Sequence, residues 1–171
     1  NATRDDLVLA EDDLKQAVKA DPEDSEIWAI SSELNSLFFR GGLDRAPERM
    51  EQARMQAERA LRLAPRSTEA KFARASYLRG LDGPSIAEAE KILRELTVEA
   101  PSDARVWVAL GKVVWGALGE TPNLAHTDEA LAIFARAAAI PSGRAEALGQ
   151  SGWLKVNVGR YADADSDLDE A

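Results

Sequence analysis

Few side chains in this 171-residue chain are equipped for covalent or metal chemistry: it has one histidine, no cysteine and thirty Asp and Glu residues. His126 has no cysteine or HxxE-type neighbour, so it lacks the partners of a zinc ligand or of a nucleophile's base; it reads as a solvated loop or capping residue. Asp163, Asp165 and Asp167 alternate as at the start of a calcium loop, yet Leu168 follows where that loop requires glycine. A helix with Ala164, Leu168 and Ala171 inward and an acidic outer face explains the same stretch. Gly41-Gly42 and Gly80 to Gly83 with Pro84 are turn signals without phosphate-binding spacing. The other carboxylates are scattered along helix exteriors rather than paired in apolar surroundings, as tuned acids are. The reading is a noncatalytic chain with no catalytic residue, no metal site and no cofactor. What remains are the residue types that most often dominate binding, Trp and Arg.

Those residues must be positioned by helices, because no stretch alternates apolar and polar with the period of a strand. Pro22, Pro65, Pro101 and Pro141 close alanine-rich apolar stretches about every 40 residues, a period typical of stacked-repeat solenoids. Before them recur Ala10, Ala53, Ala89 and Ala130; then Leu14, Ala57, Leu93 and Phe134; then Ala17, Ala60, Leu96 and Ala137. A leading helix is expected over Asp5–Ala20. The next starts at an Asp24 or Ser25 cap and runs to Phe39. Then come Ala46–Leu63 and a helix from Ser67 or Thr68 to a break at Gly80. Further helices are expected from Pro84 to Glu99, from the Ser102-Asp103 cap to near Gly119, over His126–Ala139 and Arg144–Val158, and from Tyr161 onward. The segments Gly41–Arg49 and Gly119–Thr127 are expected to be mobile loops.

Apolar residues make up 45% of the chain and charged residues 30%, so it is globular rather than disordered. The formal net charge of −9 disfavours nucleic acid, which needs clustered Lys and Arg. No apolar run approaches the ~18 residues of a membrane span, so direct membrane insertion is not expected. The chain is read as soluble, cytoplasmic in preference to periplasmic. Asn1-Ala2 reads as the remnant of a cleaved tag, and residues 3–171 as one repeat domain ending its units near 22, 65, 101 and 141, with a fourth unit over 144–171.

Trp107-Val-Ala-Leu110-Gly111-Lys-Val-Val114, then Ala130, Phe134 and Pro141, resembles the tetratricopeptide repeat, whose pattern is W-x2-L-G-x2-Y…A-x3-F…P. Val114 replaces the tyrosine, and about seven extra residues separate the helices relative to that pattern. Gly152, Gly159, Tyr161, Ala164, Leu168 and Ala171 fall at the family's spacing in the last unit. The unit beginning near Ser25 has Trp28 at the aromatic position, then Ala53, Ala57, Ala60 and Pro65, with about nine extra residues between its helices relative to that pattern. The unit from Thr68 is weakest, with Lys71 at the Trp position, Ala75 at the Gly position and Leu78 at the Tyr position. The resemblance implies an all-α, right-handed α-solenoid of stacked antiparallel helix pairs, about four of them plus a leading unpaired helix. It places Gly111 and Gly152 opposite Ala130 and Ala164 at close helix crossings, with Trp28, Trp107, Phe134 and Leu168 filling the space beside those contacts and Trp28 and Trp107 in the core.

In that family the first helix of each pair lines a concave groove where peptides dock. The matching positions are Glu26, Ala29, Glu33 and Leu37; Glu69, Phe72, Ser76 and Arg79; Arg105, Val108, Lys112 and Trp115; Glu146, Gly149, Trp153 and Asn157. Phe72, Ser76, Arg79, Val108, Lys112, Trp115, Trp153 and Asn157 are the expected partner-binding residues, forming an apolar patch with a basic rim; the alternative for Trp115 and Trp153 is that they pack under the long inter-helix loops or against a neighbouring repeat. The implied function is a noncatalytic scaffold binding a peptide or partner domain. The phrase Ala57-Glu-Arg-Ala-Leu-Arg-Leu-Ala-Pro65 and the widened loops resemble arrays fused to bacterial signalling or regulatory proteins. The alternatives are a structural spacer or self-association module, and a chaperone-tail receptor. The last is disfavoured because Ala29 and Glu33 stand where a carboxylate clamp needs basic and amide groups.

Overall fold

The computed structural model describes residues 3–81, 83–116 and 126–171. Over these the chain forms α1 (Arg4–Ala20), α2 (Ser25–Arg40), α3 (Pro47–Leu63), α4 (Thr68–Leu78), α5 (Pro84–Glu99), α6 (Ala104–Trp115), α7 (Thr127–Ala138), α8 (Arg144–Asn157) and α9 (Tyr161–Glu170), with one 3₁₀ turn at Pro141–Gly143. No strand occurs among the described residues. The starts follow local chemistry. The Asp24 carboxylate accepts from the N–H groups of Glu26 and Ile27, Ser67 Oγ from Ala70, and Asp103 from Arg105, each satisfying amides a first turn leaves free. The end of α6 differs from expectation: the helix stops at Trp115 rather than near Gly119, because Gly116 takes a left-handed φ of 73° and caps it. The remainder of the expected Gly119–Thr127 loop lies outside the described residues as far as 125. The Gly41–Arg49 segment is tied down, with Leu43 and Asp44 both donating to the Phe38 carbonyl and Arg49 bonded to the Asp44 carboxylate.

The chain divides into two compact units, Asn1–Ile92 and Leu93–Ala171. In the first, α2 packs on α3 and on α4, α3 also meets α4, and α1 lies against α2. In the second, α6 packs on α7 and α8, α7 meets α8, and α8 pairs with α9. In both, therefore, a helix pair receives the first helix of the next pair.

Small residues permit these approaches. Ala29, Ala57, Ala60, Ala70 and Ala73 form one buried cluster, with Trp28 and Leu61 packed on it. In the second unit a Cβ on Gly111 would sit 2.5 Å from Phe134 Cε1, and one on Gly152 would sit 2.7 Å from Leu168 Cγ. The glycines thus make room for the Phe134 ring and the Leu168 side chain, the two side chains expected beside these crossings, and the Ala164 carbonyl oxygen also lies 3.5 Å from the Gly152 Cβ position. Ala130 is itself fully buried. Ala130→Leu is expected to cost about 1–3 kcal/mol by overpacking, and an unchanged urea midpoint would show that the site has slack.

Trp28 and Trp107 depart from the expected core role, since both are only half-buried. Each indole has a polar edge that needs an acceptor, and each finds it six residues back: Trp28 Nε1 donates to the Pro22 carbonyl and Trp107 Nε1 to the Pro101 carbonyl, both at 2.9 Å. The rings therefore staple the turn between consecutive helices while covering its alanine floor. Trp107→Phe should retain most of the apolar cover and lose this bond, for about 0.5–1.5 kcal/mol in urea unfolding; a loss as large as that of Trp107→Ala would mean the N–H is the main contribution.

Candidate interaction surface

The expected binding residues fall in both units. In the first, Phe72 and Ser76 of α4 and Arg79, which caps its end, are all buried. Their helix is clamped against α2 and α3, so these side chains are interior and cannot themselves meet a partner. Ala29 is likewise fully buried, whereas Leu37 is exposed.

The second unit carries an open face. Val108 lies in the floor with Ala137 and Ala147. One helical turn further along α6, Lys112 Nζ donates to Glu146 Oε1 of α8 at 2.8 Å. At the end of α6, Trp115 meets Trp153 of α8 edge-on, with ring centroids 4.7 Å apart and planes at 82°. Perpendicular contact is a favoured aromatic geometry, because one ring's positive edge meets the other's negative face. The two tryptophans differ in exposure: Trp115 is 1% exposed and Trp153 is 50% exposed. Trp115 is thus a wall that fixes Trp153 rather than a second contact, a difference from the expected exposed pair. Its Nε1 is buried and without a hydrogen-bond partner among the described residues.

The open face of α8 runs through Glu146, Gly149, Trp153 and Asn157, with spacings that keep them on one side of a helix. Nothing lies within 4 Å of where a Gly149 Cβ would be, so space is left open beside the Trp153 turn. Asn157 is exposed, and its Nδ2 donates to the Trp153 carbonyl at 2.8 Å. Val156, 40% exposed, completes the apolar part; the repeat register did not single it out, although its position three residues after Trp153 could have.

The expected basic rim is neutralised. Lys112 is engaged by Glu146, and the Arg105 guanidinium by Asp103. Burial pushes the Asp103 carboxyl up, but its bonds to Arg105 together outweigh this and hold it below the usual carboxylate range. Arg79 is interior. The described residues contain no group of three or more His, Cys, Asp or Glu placed to hold a metal ion, and no helix among them is long and apolar enough to cross a membrane. The aspartates of the calcium-like string lie within α9, where Asp167 pairs with Lys155 at 2.6 Å.

No family model matches the chain, and no curated protein matches its sequence. Solved structures do. TTC0263, a thermophilic tetratricopeptide-repeat protein of Thermus thermophilus, superposes with a TM-score of 0.73 at 18% identity, covering 97% of this chain and 84% of that one. The fold is the tetratricopeptide-repeat fold. YrrB, described as a tetratricopeptide-repeat protein with an unusual peptide-binding site, matches at a TM-score of 0.57 and 17% identity over 97% of this chain and 76% of its own. MamA of Desulfovibrio magneticus RS-1 matches at 0.60 and 17% over 96% and 82%. This tetratricopeptide-fold chain is thus all-α and of the stacked helix-pair class, as the repeat pattern implied.

Proposed function

We propose that the chain is a noncatalytic protein-interaction scaffold, a single repeat domain over residues 3–171, that docks a peptide or partner domain on the open face of α8. The observation that carries this is Trp153, a residue 50% exposed whose ring is braced edge-on by a buried tryptophan. A large apolar ring already fixed in place loses little freedom on binding, which is what makes such residues anchors. Asn157, bonded to the Trp153 carbonyl, and the Lys112–Glu146 pair supply the polar part of the surface, Trp115 braces the ring, and Val108 lies in the floor between α6 and α8. The likeness to YrrB, a protein described as having a peptide-binding site, is in keeping with this reading. A chaperone-tail receptor is not favoured, since Lys112 and Arg105 are already bonded to carboxylates. The wider setting, a segment of a larger bacterial signalling or regulatory protein, rests on the Ala57–Pro65 phrase and widened loops alone.

The test is a peptide-display selection on the full chain, followed by hydrogen exchange with a selected peptide bound. Slowed exchange is expected in α8 and the end of α6. Protection confined to other helices would reject the face, and a concentration-dependent dimer that buries Trp153 would favour self-association.

A further inference from the structure

Helix α1 is held unlike any other in the first unit. None of its side chains is fully buried, and Leu14, Ala17 and Val18 are only half-covered. Besides its packing on α2, it is tied to the start of α3 by one arginine. The Arg49 guanidinium donates to both carboxylate oxygens of Glu11, at 2.8 and 3.2 Å, and the two side chains are 15% and 17% exposed. Two parallel bonds of this kind read position as well as charge. Those bonds, with a smaller share from Lys15, hold the Glu11 carboxyl below the usual range.

Arg49 does not depend on α1 for its own placement. It also donates to Asn35 Oδ1 at 2.9 Å and to Asp44 Oδ2 at 2.7 Å, and lies 4.4 Å from the Phe38 ring centroid. Asn35 is in turn bonded to Gln56 of α3 at 2.9 Å. The receptor side is therefore preset by α2, α3 and the loop between them. The turn after α1 is anchored as well: the Pro22 carbonyl accepts from Trp28 and Arg59, and Glu23 pairs with Arg59. Between this pinned turn and Glu11 the interface is loosely filled. An open cavity of about 260 Å³ lies there, walled by Leu14 and Val18 from α1 and by Trp28, Asn35 and Gln56 from α2 and α3.

We propose that the α2–α3 face under α1 is a helix-docking groove, occupied in cis by α1 and able to take in trans a partner's amphipathic helix carrying the same key. That key is a carboxylate at one position, an aliphatic residue three further on and another seven further on, as in Glu11, Leu14 and Val18, all on one helical face. The preset Arg49 supplies the charge complement, and the unfilled cavity leaves room for a bulkier aliphatic than α1 provides. This groove is independent of the α8 face and of the reading attached to it.

The test uses the full chain with Glu11→Lys, which sets a cation against Arg49 and leaves α2 and α3 unaltered. The probe is a labelled peptide of residues 3–20 with the native sequence, followed by anisotropy. It should bind the Glu11→Lys chain at least tenfold more tightly than the unaltered chain, where α1 competes. A peptide with Glu11→Gln should bind that chain at least tenfold more weakly, and Arg49→Met in the same chain should abolish the discrimination. Hydrogen exchange should show α1 amides at least tenfold faster in the Glu11→Lys chain with α2 and α3 unchanged, which also shows that the unit stays folded; if they are not, the milder Glu11→Gln chain takes its place. Equal binding of the two peptides, no binding, or unchanged protection of α1 overturns the proposal. A dimer formed by exchange of α1 between copies overturns the choice of a partner's helix in favour of a second copy.

Discussion

Phe134→Ala is expected to remove about 3–5 kcal/mol from the stability of the second unit, as large-to-small changes in a packed core do. The ring is 1% exposed and packs over Gly111 so closely that a Cβ there would lie 2.5 Å from it. Deleting it therefore removes a large buried surface and leaves a space beside Gly111, which has no side chain to fill it. Urea unfolding followed by fluorescence reads the effect directly, since Trp107, Trp115 and Trp153 all lie in this unit. A second arm tests the cause. Gly111→Ala should destabilise the native chain and cost much less in the Phe134→Ala background, because its clash partner has gone; contacting residues are where such non-additivity arises. If the two losses simply add, the Gly111–Phe134 contact is not what sets the packing.

Trp153→Ala should weaken a selected peptide by about 2 kcal/mol or more, roughly thirtyfold, while unfolding stays cooperative. The magnitude follows from its position: the residue is 50% exposed while its ring is held edge-on by Trp115, so on the proposed reading the ring presents its area without first being ordered. Trp153→Phe, which retains an aromatic face toward Trp115, should recover part of the affinity. Calorimetric titration of the three chains with one peptide separates the outcomes. Equal affinities would sink the assignment of the α8 face, and a broadened unfolding transition in Trp153→Ala would mean that the ring is structural instead.

What was readable beforehand tracks the range of the interactions involved. Helix starts at Asp24, Ser67 and Asp103 depend on amides two or three residues away, so the side chain announces them. The alanine periodicity likewise identifies helix faces that must approach one another. Repeat register also placed Trp115 and Trp153 on neighbouring helices, but it could not tell which would cover the other, because that depends on how the two rings pack across 38 residues of chain. Lys112 was legible as a cation and not as one already paired, since its partner lies 34 residues on. Arg49 gave no signal at all: its partners come from α1, α2 and the loop before α3, and no local pattern gathers them.

About half of the buried apolar side chains among the described residues are alanine. Alanine has no rotamers to lose on folding, and each one exposes little hydrocarbon when the chain unfolds. The heat-capacity change on unfolding scales with that exposed hydrocarbon, so it should fall below the usual ~12–15 cal/mol/K per residue. A smaller heat-capacity change flattens the curve of stability against temperature. Such an interior trades a high peak for breadth, and the scaffold keeps a nearly constant margin against unfolding from the cold to the warm end of its range.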